Sequence, residues 1–120
     1  MTRHFSRWLS KTDLSLEALC KAVEEMEQGL IDANLGGGIL KKRIALPSRG
    51  KRGSTRTLVA TNGRDRWFFV FGFEKNDRDN ISAKELSALK ALAADLLQLD
   101  TTQLTAAVAA KTFQEICHEN

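Results

Sequence analysis

The chain has 120 residues, 42% of them hydrophobic, and a formal net charge of +3 from 18 lysines and arginines against 15 aspartates and glutamates. That length supports one domain, residues 1–120, with a single buried core. No apolar run approaches the roughly 20 residues needed to span a bilayer, and Met1 to Ser10 is too polar for a signal peptide, so the sequence points away from membranes and toward the cytoplasm.

In chain order, the first residues predict a short strand or an irregular start. Ser15 caps a helix that runs to about Gln28, with Leu14 and Leu19 as a hydrophobic staple. Leu16, Leu19, Cys20, Val23 and Met26 recur at helical spacing, Glu24, Glu25 and Glu27 lie largely away from them, and Gly29 ends the helix. Leu30 to Gly38 reads as a loop. Three β segments follow, at about Ile39 to Leu46, Arg56 to Thr61 and Arg66 to Phe73, the last two joined by the hairpin signal Asn62-Gly63. Residues 67–73 are apolar at nearly every position, which predicts a central strand covered on both faces. Its aromatics read as core, although Trp67 or Phe73, near a strand end, could also stack a base.

A polar loop, Glu74 to Asn80, precedes the capping box Ser82-Ala83-Lys84-Glu85, whose staple is Ile81 with Leu86. The helix it opens extends to about Leu97. A last helix covers about Thr102 to Ala110, and Phe113 to Ile116 reads either as its fraying end or as a short edge strand. The order is that of an α+β domain, with a small antiparallel sheet of three or four strands packed against helices. Cys20 reads as helical core and Cys117 as an unassigned tail residue; two cysteines so far apart fit a reducing compartment and offer no metal-ligand spacing. His4 and His118 are equally isolated, so no structural zinc, histidine-based catalytic pair or cofactor is expected.

The charge is segregated. Residues 41–66 hold nine basic side chains against Asp65 alone, while the segments on either side are net acidic. Such a block is the footprint of a polyanion partner, because neutralising phosphates and releasing counterions supplies most non-specific nucleic-acid affinity. At its centre is Arg49-Gly50-Lys51-Arg52-Gly53-Ser54-Thr55-Arg56, running straight into a β-branched segment. Glycines let backbone approach a ligand, arginines offer planar forks to phosphate oxygens, and the strand would hold Arg56 rigidly. Lys41, Arg43, Arg49 and Arg52 are candidates for further phosphate contacts.

Several groups of residues together point to one family: Arg7-Trp8, Gly29-Leu30, Leu35-Gly36-Gly37-Gly38, Lys41-Lys42-Arg43, Gly50-Lys51-x-Gly53-x-x-Arg56, Phe73-Glu74-Lys75-Asn76, and Asn80-Ile81-Ser82-x-x-Glu85-Leu86. Over roughly residues 5 to 97 the chain resembles the RelE/HigB-like toxins of type II toxin–antitoxin systems, with the specificity in the conjunction of motifs. The resemblance implies a RelE-like fold and a metal-independent endoribonuclease that cuts messenger RNA, commonly in the decoding site of the ribosome. Translation is then inhibited until a co-encoded antitoxin binds. Carried over residue by residue, Arg56 matches the arginine at the start of the second core strand, Lys51 the loop lysine, Lys75 the lysine beyond the aromatic strand, and Arg43 the basic residue on the first core strand.

Metal-free RNA cleavage uses the ribose 2′-hydroxyl as nucleophile, so a site needs a proton acceptor, a donor for the departing 5′-oxygen and cations for charge building on phosphorus. Arg56 and Arg43 suit the last role, since arginine keeps its proton. Crowding by like charges and partial desolvation bring a lysine closer to proton exchange, which makes Lys51 and Lys75 the candidates for that step. The chain has no tyrosine, where many relatives place one, and Ser54 and Thr55 stand where a glycine and an aromatic residue are common. The site is therefore lysine-driven or dependent on the ribosome for geometry. Ser54 and Thr55 read as turn residues, or as hydroxyl contacts to phosphate. Two other readings are a ParE-like inhibitor of DNA gyrase and a non-catalytic RNA-binding module.

Overall fold

The computed structural model describes residues 1–46, 54–75 and 77–117. Its elements are helices α1 (Arg3–Leu9) and α2 (Leu16–Glu27), strands β1 (Ala33–Gly36), β2 (Ile39–Ala45), β3 (Ser54–Thr61) and β4 (Trp67–Glu74), and helices α3 (Ala83–Leu97) and α4 (Thr101–Ala109). The strands form one antiparallel sheet in the order β1-β2-β3-β4, the α+β architecture that the sequence predicts.

Local chemistry sets the helix starts. The Ser15 side chain accepts from the Ala18 N–H to open α2, Ser82 and Glu85 form the reciprocal capping box of α3, and Asp100 with Gln103 repeats that device at α4. Two apolar layers enclose the sheet. On one face Phe5, Leu14, Leu19, Ala22 and Met26 pack with Ile44, Leu46, Val59 and Phe69. On the other, Leu89, Ala93 and Leu96 of α3 pack with Ile39, Leu58, Ala60, Phe68 and Val70.

Four features differ from expectation. The start is not a strand or irregular: Thr2 caps α1 by accepting from the Phe5 N–H, and Phe5 is fully buried. The segment read as a loop contains β1, which pairs with β2, and Gly36, Gly37 and Gly38 take φ of 83°, 60° and 82° to make the tight turn between them. β4 is an edge strand, and β2 and β3 are central. β4 is apolar on both sides because helices cover both its faces, and its outer edge is partly sealed by Thr2, whose N–H donates to the Phe69 carbonyl at 3.1 Å and which bridges to Phe113.

The fourth difference is covalent: Cys20 and Cys117, 97 residues apart, form a disulfide. Cys20 is not an isolated core thiol, nor is Cys117 a loose tail residue. The same end of the chain is tied again where the Met1 amine donates to the Gln114 carbonyl at 2.7 Å. Burial pushes that amine down to about 6, with Glu115 pulling the other way.

Candidate functional site

Strand alternation sorts the basic block. In the register, Arg43 lies directly opposite Arg56, which lies opposite Phe73, while Lys41 lies opposite Leu58, which lies opposite Phe71. Residues paired in this way project to the same side of a sheet, and Leu58 places that side under α3. Lys42, between Lys41 and Arg43, projects to the other face. It is buried, its Nζ donates to the Leu30 carbonyl at 2.9 Å, and Glu25 lies 3.3 Å away. The run Lys41-Lys42-Arg43 is therefore split between a surface role and a structural one.

α3 covers only part of its face. Along β2 the residues on this side pass from buried Ile39 through half-buried Lys41 to exposed Arg43, and along β3 from buried Ala60 and Leu58 to half-buried Arg56 and Ser54. The open end is thus cationic. Arginines directly opposite one another repel across a ladder, and among the described residues neither Arg43 nor Arg56 has a carboxylate ion-pair partner. Arg56 is steadied by its Nη1, which donates to the Ser54 hydroxyl at 2.7 Å.

Lys75 follows β4 at this same end, exposed, with its backbone N–H donating to the Ser54 carbonyl at 3.4 Å. Ser54, Arg56 and Lys75 are thereby brought together with Arg43 and Lys41. The expected loop residues Arg49, Lys51 and Arg52 lie outside the described residues, as do Asn76 and His118. Thr55 is not available to phosphate: it is fully buried and its hydroxyl donates to the Ile44 carbonyl at 3.0 Å.

Sequence reasoning passed over Arg78. Its guanidinium carbon sits over the rings of Phe71 and Phe73, 5.3 and 5.7 Å from their centroids. Its Nη1 donates to Glu85 Oε1 at 2.6 Å. The hydrogen bond from Arg78, helped by the Ser82 backbone N–H, holds the Glu85 carboxyl down at about 2. His4, read as isolated, stacks on Phe71 with ring centroids 5.7 Å apart and planes 11° from parallel. Nothing in the polar loop marks Arg78 beforehand, because its partners depend on how α3 docks. Of the two aromatics proposed to stack bases, Phe73 borders the cationic end but is only 4% exposed. Trp67 lies at the opposite end of β4, its indole donating to the Arg64 carbonyl.

Two grooves lie away from this patch, one between α1 and residues 108–115 and one beside Gly36–Gly38 and Trp67. Among the described residues, neither groove is lined by Arg43, Arg56 or Lys75. The family model for the RelE toxin of RelE/RelB toxin–antitoxin systems matches residues 1–116. No curated protein and no solved structure gives a significant match.

Proposed function

Because the chain belongs to the RelE toxin family of RelE/RelB toxin–antitoxin systems, we propose that it is a metal-independent endoribonuclease that cuts messenger RNA at the ribosome, in the cytoplasm, until its antitoxin binds. The observation that carries this reading is the Arg43–Arg56 pair. Two like charges face each other on central strands at the open end of the sheet, an arrangement that costs stability on its own and is relieved by an anion between them.

In this reading the two guanidiniums hold the non-bridging oxygens of the scissile phosphate and stabilise the charge that develops as the 2′-oxygen attacks. The 5′-oxygen leaves with a proton, giving a 2′,3′-cyclic phosphate and a 5′-hydroxyl end. Lys51 and Lys75 are the proposed proton carriers; Lys75 is exposed, so its desolvation would come from the bound RNA. Lys41, Arg49 and Arg52 extend the phosphate track. The antitoxin partner that the family implies would silence the toxin by covering this patch, most simply with an acidic segment.

The test is controlled induction of the wild-type chain beside Arg56→Ala, with transcript 5′ ends mapped minutes later. Cuts within translated regions that disappear in the variant are expected. Intact transcripts from folded protein would overturn the nuclease reading; accompanying DNA damage would point to gyrase, and RNA binding without cleavage to a passive module.

A further inference from the structure

Beside the arginine pair lies an aromatic surface whose accessible side is closed by another side chain. Phe73, the direct neighbour of Arg56, is 4% exposed, and the guanidinium of Arg78 lies over it and over Phe71. Arg78 itself keeps 40% of its side-chain surface open to solvent.

We propose that Arg78 is a base-stacking residue: seated on Phe71 and Phe73 and tethered by Glu85, its guanidinium presents the plane on which one nucleobase of bound RNA stacks, next to the phosphate held by Arg43 and Arg56. This rests on the RNA-cleaving reading above and names how that site grips the nucleotide beside the cut. Arginine planes serve single-stranded RNA as stacking platforms much as aromatic rings do. The platform is preorganised, since Glu85 receives both the Arg78 Nη1 and the Ser82 backbone N–H and is thereby fixed to the start of α3. Stability alone explains the arrangement poorly, because an ion pair this exposed is screened by solvent and contributes little. The spacing also fits: Phe73 lies directly opposite Arg56, where paired side chains sit roughly 5 Å apart, so a base stacked on the guanidinium above Phe73 adjoins a phosphate at Arg56.

The experiment uses short single-stranded RNAs with 2-aminopurine at successive positions and a 2′-O-methyl group blocking cleavage, alongside the mapping of transcript 5′ ends after induction in cells, where ribosomes are present. Wild-type protein is expected to quench the fluorophore at one position. Arg78→Lys keeps the charge but loses the plane, so it should lose that quench and bind about tenfold more weakly with an unchanged slope of affinity against salt. Glu85→Gln preserves the capping box but loosens the tether, and should lose part of the quench. Wild-type quenching retained in Arg78→Lys, or no quenching by wild type at any position, overturns the proposal. Quenching that depends on Arg78, with transcripts left intact when the wild-type chain is induced in cells, would sustain the stacking role while removing the nuclease reading.

Discussion

Lys42 and Arg43 are adjacent, equally basic and opposite in role. Lys42 points into the layer beneath α2, where it satisfies the Leu30 carbonyl and meets Glu25; Arg43 points out beside Arg56. Replacing Lys42 with alanine removes a part-buried hydrogen bond from a charged donor and should cost about 1–3 kcal/mol of stability without changing cleavage per folded molecule. Arg43→Ala should do the reverse, lowering cleavage by about tenfold or more and leaving stability unchanged or slightly improved by removing a like-charge contact. Thermal melts and cleavage assays on the same two preparations check both. The sequence made the charge density plain, and period-two alternation could have divided it. Arg78 was not legible: a single arginine among acidic and amide residues acquires meaning only once β4 and the start of α3 are in place.

At the level of elements, strong local chemistry was the readable part. Capping at Ser15 and Ser82, the Asn62-Gly63 hairpin signal and the apolar run of β4 lead to the observed elements within a residue or two. α1 and β1 escaped because seven and four residues are too short to display a period. β4 was misplaced in the sheet for a different reason: apolar residues on both faces report coverage by helices, which an edge strand can also have. The α1–β4 contact is close enough to test. A Cβ added at Gly72 would clash with the Trp8 ring, so Gly72→Ala should destabilise by about 1–3 kcal/mol. In a Trp8→Leu background the same change should cost distinctly less, and equal costs in the two backgrounds by denaturant melts would remove this packing account.

Across the whole molecule, the class of fold and the single sheet followed from element order, but the closure of the chain on itself did not. Thr2 with Phe113, Met1 with Gln114 and Cys20 with Cys117 are pairs about a hundred residues apart, and no local pattern announces them. A cross-link of this span restricts the unfolded chain strongly, so reduction should lower stability by about 3–5 kcal/mol in the chain-entropy account, measured as the shift between melts with and without dithiothreitol; Cys117→Ser should reproduce the reduced value. The span has another consequence. The cationic end, and the join between β2 and β3 beside it, fall inside the covalent ring from residue 20 to residue 117. A protease that severs the backbone once anywhere in that interval opens the ring without splitting the particle: its two pieces stay one molecule under oxidising conditions and part only on reduction, so a nicked, inactive toxin would migrate on a denaturing gel as a single chain until a thiol is added.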